Sequence, residues 1–491
     1  MNSINVGRIV ASSAGKDQQE ETMRLNIVLG LSALVPLASS AATASKIGVN
    51  RRYVEERDGV LHNVFEDSAT GVKTSFVNNS GICETTPGVN HYSGYISTSP
   101  SDNMWFWLFE ARENPEQAPL VLYFGGGPGC SSLLGAFVNN GPCRFDNINQ
   151  TEPSLNPYSF NAYANLLYVD QPLPTGFSYG NGTQPRSTKE AAVVVYDFLQ
   201  AFYDQFPEYQ ERDVGIFTSS YGGHFGPEFT RFILEKNEEA AGHEIKVTAL
   251  GLDNAWMAPI IQDRANLEYA HKNNYRQLIN DTAYESLVQG WEANQKPLID
   301  ECAATDADQA CHDAWISYNN AGIEIFQNFP DDFKTFDIRP GAQSVPSPEE
   351  YLQREDVRKA IGAETTYDEC AWPQGFIDSG DDARSFLDEL STVVSAGVKV
   401  LIWTGDADYV CNWFGTSQVA HEIDWQGRDA FAGKELESYA VGGEEKASFK
   451  TQDNLTLMRV FGAGHQMTWY HPDLALQVFK QFMGPDGLSS T

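Results

Sequence analysis

Basic residues are scarce in this chain of 491 residues: 33 Lys and Arg stand against 66 Asp and Glu, a formal charge of −33. A surface of that sign repels phosphate backbones, which excludes a nucleic-acid partner. It also keeps a soluble protein well hydrated, for instance in an acidic compartment. Long apolar stretches are missing as well. The run from Leu25 to Leu37 is too short for a membrane-spanning helix, and no later stretch predicts a stable span. Neither Cys-x-x-Cys nor His-Glu-x-x-His occurs, so a zinc site is not expected. No metal and no cofactor is called for. Internal repeats and low-complexity tracts are also lacking.

What is present points to export. Met23-Arg24 opens the short apolar run, which ends in small residues with Ala42-x-Ala44, a secretory signal pattern. Residues 23–44 are therefore predicted as a signal peptide, with Met23 as the start and residues 1–22 as a dispensable extension. The seven cysteines are Cys83, Cys130, Cys143, Cys302, Cys311, Cys370 and Cys411. In an exported protein pairing is the default, and an odd count leaves one thiol free. About 105 pairings are open on counting alone. Cys302 and Cys311 stand close enough, among loop residues, for a local bridge. Sequons at Asn78, Asn149, Asn181, Asn280 and Asn454 are candidate glycosylation sites.

The chain then alternates short apolar strands with helical patterns. Met104–Phe109, Leu120–Phe124, Asn165–Asp170, Val214–Phe217, Val247–Leu252, Val398–Trp403 and Leu455–Phe461 read as strands. Ser187 with Glu190 forms a capping box. It opens a helix with Ala191, Val194, Val195, Phe198 and Phe202 on one face. Such alternation predicts an α/β fold: a mostly parallel sheet with helices on both faces. From about residue 260 the pattern turns helical and rich in Asn, Asp and Gln. The expected organisation is a core at 45–259, an inserted helical lid at 260–385, and the rest of the core at 386–491.

Two stretches carry chemistry. Phe217-Thr218-Ser219-Ser220-Tyr221-Gly222-Gly223 follows a strand and precedes a helix predicted over Pro227–Glu235. Strand, tight turn and helix are the setting of a nucleophile elbow. The turn demands small residues two before and two after the nucleophile. Ser220 has Thr218 and Gly222 there, whereas Ser219 has Phe217 and Tyr221, so Ser220 is the candidate. Gly125-Gly126-Gly127-Pro128-Gly129, directly after a strand, is a loop able to aim backbone N–H groups at a ligand. Strands also lead into Asp406-Ala407-Asp408 and into Gly464-His465. Serine, acid, histidine is the α/β-hydrolase order. Serine needs a base, histidine can take and return the proton, and a buried carboxylate fixes the histidine tautomer. Asp406 and Asp408 compete for that last place.

With these motifs the chain resembles the serine carboxypeptidase family of fungal, plant and vacuolar kind. The resemblance rests on Tyr123-Phe124-Gly125-Gly126-Gly127-Pro128-Gly129-Cys130-Ser131-Ser132, Thr218-Ser219-Ser220-Tyr221-Gly222-Gly223, Gly405-Asp406-Ala407-Asp408-Tyr409-Val410-Cys411-Asn412 and Gly464-His465, with Asp356-Val357-Arg358-Lys359-Ala360. It covers the chain from about residue 50 and implies an α/β-hydrolase fold. It implies Ser220, Asp408 and His465 as the triad, and the N–H groups of Gly127 and Tyr221 as the oxyanion hole. It further implies Cys411 as the free thiol and a Cys130–Cys370 bridge, which leaves Cys83–Cys143 beside Cys302–Cys311. The substrate-binding positions are Gly125, Gly126, Asn139 and Ser219. Three of these depart from the pattern. The family holds the substrate's terminal carboxylate partly by a titrating pair of acids, and Ser219 and Asn139 stand in their places. The family's loop asparagine is Gly125.

The expected function is hydrolysis of peptide bonds at the C-terminus through an acyl-enzyme on Ser220. The partner is then a peptide or other acyl substrate. Because Asn139 and Ser219 carry no proton that titrates in this range, carboxylate recognition is expected to be weak and nearly independent of pH. The altered pair motivates a rival reading as an esterase, amide hydrolase or acyltransferase. A catalytically silent binding protein is a third, opposed by the retained triad.

Overall fold

The computed structural model describes residues 51–67 and 71–491. The predicted extension and signal peptide lie outside them. Six parallel strands form the centre: β1 (Leu120–Phe124), β2 (Asn165–Val169), β3 (Asp213–Ser219), β4 (Lys246–Asp253), β5 (Lys399–Gly405) and β6 (Leu455–Val460), in the spatial order β2-β1-β3-β4-β5-β6. Antiparallel strands extend both edges. Five lie beyond β2, from Asp102–Phe109 out to Arg51–Arg57. Two lie beyond β6, Glu444–Gln452 and Glu437–Val441.

The central strands are short and apolar throughout because both faces are covered. In β1 the side chains of Leu120, Leu122 and Phe124 join one core, and those of Val121 and Tyr123 join the other. The first core lies under α1 (Thr188–Gln205), α2 (Gly222–Glu238) and α3 (Leu387–Ser395). The second lies under α4 (Pro472–Met483). Period two in the strands meets period 3.6 in the helices, and each layer hides its apolar face. This is the α/β-hydrolase fold.

Chain order runs from β1 outward to β2, then back across β1 to β3 and onward to β6. The sheet therefore reverses direction between β1 and β3, and at such a switch point a crevice opens at the carboxyl ends of the strands. The glycine loop leaves β1 there and the elbow leaves β3.

The elements between β4 and β5 are helices, including Pro259–His271, Asp281–Gly290, Lys296–Thr305 and Asp308–Phe326. Disulfides join Cys83 to Cys143, Cys130 to Cys370 and Cys302 to Cys311, and Cys411 is a buried free thiol. No helix of the described residues is long and apolar enough to cross a membrane.

Two local readings need correction. The helix after the elbow begins at Gly222, five residues before the predicted start, so Pro227 lies inside it. The cap of α1 accepts at Ser187 from Glu190 N as expected, but Glu190 Oε2 accepts from Arg186 N, one residue earlier than a capping box requires. Asn454 Nδ2 donates to Val394 O at 2.9 Å and to Val398 O at 2.6 Å. Asn78, Asn149, Asn181 and Asn280 are exposed. Asn280 caps Asp281–Gly290 through Oδ1, so its nitrogen is not used in the cap.

Candidate active site

Ser220 sits at the end of β3 with φ 59°, in the left-handed region that non-glycine residues rarely enter. Its strain is held from both sides: Ser220 N donates to Asp253 O at 3.1 Å, and Ser220 O accepts from Trp256 N and Gly223 N. The crowding that selects Ser220 is visible. A Cβ at Gly222 would fall 2.4 Å from Thr218 Cβ. Thr218 Oγ1 donates to Gly222 O across the turn. The turn thus projects Ser220, not Ser219, from the strand end.

Asp408 and His465 leave the neighbouring strands β5 and β6. His465 Nδ1 and Asp408 Oδ2 are 2.7 Å apart. Asp408 is fully buried, and its carboxylate also accepts from Asn254 Nδ2, Val410 N and Cys411 N. Four donors offset the loss of water around a buried charge. Asn254 is the hub of this arrangement and was not foreseen from sequence. Its N–H bonds Trp403 O, and its Oδ1 accepts from Gly405 N. Through Asp253, the next residue back, it is one step from the bond that seats Ser220. His465 packs against Phe336 of the helical segment, with ring centroids 4.7 Å apart and planes 24° from parallel, and its N–H donates to Phe336 O. Among the described residues His465 Nε2 and Ser220 Oγ have no hydrogen-bond partner. Catalytic hydrogen bonds commonly tighten only when substrate is present.

Asp406, the competing acid, faces away from the histidine. Arg459 donates to its Oδ2 through two nitrogens, and Gly462 N and the Tyr275 hydroxyl donate to Oδ1. It ties β6 to the loop after β5.

The glycine loop lies directly against the elbow. A Cβ at Gly126 would meet Ser219 O at 2.7 Å and Tyr221 N at 2.9 Å, so only glycine allows this approach. The N–H groups of Gly127 and Tyr221 have no protein acceptor among the described residues. Tyr221 is held by its buried hydroxyl, which donates to Asp381 Oδ2 at 2.6 Å. Asp381 also receives Thr188 N and Oγ1 at the start of α1.

Beside the nucleophile lies a second polar group. Asn139 Nδ2 donates to Tyr123 OH at 2.9 Å, and Tyr123 OH is 3.1 Å from Ser219 Oγ. Tyr123 therefore bridges the two substituted positions. Burial pushes its hydroxyl up to about 12, so it stays a donor. Asn139 Oδ1 is buried without a partner. A Cβ at Gly125 would lie 2.6 Å from Cys130 O, so this loop has closed over the space a larger residue would need.

The serine carboxypeptidase family matches residues 81–484. The chain belongs to that family. It is a serine-type peptidase on an α/β-hydrolase fold. Carboxypeptidase S1 of Penicillium janthinellum is 46% identical over 429 residues, covering 85% of this chain and 100% of that protein. Carboxypeptidase Y homolog A of Aspergillus clavatus is 30% identical, covering 89% of this chain and 80% of that one. The crystal structure of Kex1Δp, a prohormone-processing carboxypeptidase of Saccharomyces cerevisiae, superposes with a TM-score of 0.68 at 21% identity, covering 80% of this chain and 91% of that one. That likeness concerns the fold.

Proposed function

We propose that this enzyme removes C-terminal residues from peptides through an acyl-enzyme on Ser220, with Asp408 and His465 completing the triad. Ser220 Oγ attacks the carbonyl carbon while its proton passes to His465 Nε2. The oxyanion is received by Gly127 N–H and Tyr221 N–H, both unengaged and aimed by a loop in contact with the elbow. The C–N bond breaks as the histidine returns the proton to the leaving amine. A water molecule then repeats the sequence to free the acid. Asp408 holds Nδ1 so that Nε2 can act as base.

One observation carries this reading: the 2.7 Å His465–Asp408 contact stands at adjacent strand ends and is linked through Asn254 to the strained Ser220. A phosphonate probe should label Ser220. The enzyme should release the last residue of a blocked dipeptide as well as turn over the methyl ester of the same acyl residue. Turnover of the ester alone would favour the esterase reading. Export through the secretory pathway is part of the proposal, supported by the apolar run Leu25–Leu37 with Ala42-x-Ala44 after it and by the three disulfides.

A further inference from the structure

Asp253 ends β4 and pairs in register with Ser219 on one side and Trp403 on the other. Partners in a parallel ladder turn their side chains to the same face, so the Asp253 carboxyl stands beside the Ser219 hydroxyl, on the face that carries Tyr123. Asp253 is 6% exposed, and its Oδ1 is buried with no hydrogen-bond partner. Among the described residues no donor and no cation reaches either of its carboxyl oxygens. Buried polar atoms are nearly always paired, and each exception needs a reason.

The titratable groups that face Asp253 are Tyr123 from β1, and Asp408 and Cys411 from the loop after β5. None supplies a positive charge. Burial, and then Asp408, hold the Asp253 carboxyl well above the usual carboxylate range. An acid in that condition is a donor, and the ligand suited to it is an anion.

We infer that Asp253 is a specificity-determining residue: in its acid form it donates a hydrogen bond to the terminal carboxylate of the peptide, beside the donors of Asn139, Tyr123 and Ser219. The inference rests on the carboxypeptidase reading above and deepens it. It also changes the expectation drawn from Asn139 and Ser219 alone, that recognition would be nearly independent of pH. One group in the site does titrate. Once ionised, Asp253 would repel the carboxylate it had held, so binding present at acid pH is lost as pH rises through its folded pKa.

The test compares kcat/KM for a blocked dipeptide with kcat/KM for the methyl ester of the same blocked acyl residue, from about pH 4 to 8. Both substrates use one triad, so the ratio cancels changes there and reports the carboxylate. In the unmodified enzyme the ratio should fall by about 10-fold or more as pH rises. In Asp253→Asn it should lose that dependence, because an amide donates at any pH. In Asp253→Ala it should be low and flat. A flat ratio in the unmodified enzyme, or a fall that persists in both variants, overturns the inference while leaving the carboxypeptidase reading intact. Ester turnover with no peptide cleavage overturns both.

Discussion

The candidate nucleophile's surroundings and the proposed recognition group lie side by side at the same strand ends, yet they are finished to different degrees. Around Asp408 every carboxylate bond is made, by His465, Asn254, Val410 and Cys411. Around Tyr123 the buried carboxyl of Asp253 has no partner. The first is preorganised, with its dipoles fixed before substrate arrives. On the proposed reading, the second is completed by what binds. The triad's chemistry is the same for every acyl group. A group that must tell a free carboxylate from an amide keeps its polar atoms open until the right ligand fills them, and an analogue that leaves them unpaired is rejected.

The contrast is broken most severely at the nucleophile. Ser220→Ala should lower kcat by about 10⁶-fold, whereas Ser219→Ala should act mainly on KM for peptide acids, since triad members act as a unit. Steady-state kinetics on both substrates checks this, and a dead Ser219→Ala with an active Ser220→Ala would reverse the elbow assignment. Next in size is the acid. Asp408→Asn should cost roughly 10⁴-fold in kcat through the wrong histidine tautomer. Asp406→Asn, whose partners are Arg459, Gly462 and Tyr275, should show its loss in thermal stability instead. Equal kinetic losses would undo the division between them. Tyr123→Phe sharpens the comparison from the other side. It removes the bridge between Asn139 and Ser219 and should raise KM for the peptide about 10-fold more than KM for the ester.

The smallest effect is on stability. Burial raises Asp170 to about 6 and Asp382 to about 7, with Asp381 adding to the latter, and moves Asp253 and Asp263 the same way. For acids whose folded pKa lies above the unfolded value, the stabilisation is fully present below about pH 4 and is lost as pH rises through the folded values. The melting temperature should therefore fall between about pH 4 and 8, on the order of 5 °C. Asp253→Asn should flatten part of that slope, and a melting temperature that rises across the range would contradict the sign.

Much of the candidate site's geometry was legible because it is local. A strand that is apolar on both faces, a small residue two on either side of a serine, and a glycine run after a strand are all patterns within ten or so residues. What stayed hidden depends on register between strands far apart in sequence. Nothing near Asp253 announces that it pairs with Ser219. Asn254 becomes a hub only once β4 and β5 lie side by side. Phe336 and Asp381 reach His465 and Tyr221 from the helical segment, which sequence alone placed as a cover with no stated contact to the triad. Tyr123 was quoted as part of a motif, but its place between Asn139 and Ser219 follows from the pleat of β1 against β3. The Pro227 error is of the same kind, since proline looked like a helix start until the packing carried the helix through it.

The bond between Cys130 and Cys370 joins positions 240 residues apart, from the glycine loop to the helical segment. Consider a protease cutting the chain anywhere between Cys311 and Cys370. Ser220 would lie on one fragment, and Asp408 and His465 on the other. The bond would still connect them, and the parallel pairing of β3, β4 and β5 would still hold the three residues together. Such an enzyme can be worn down to two polypeptides and remain one molecule, with its working parts divided between them, until a reductant lets the halves go.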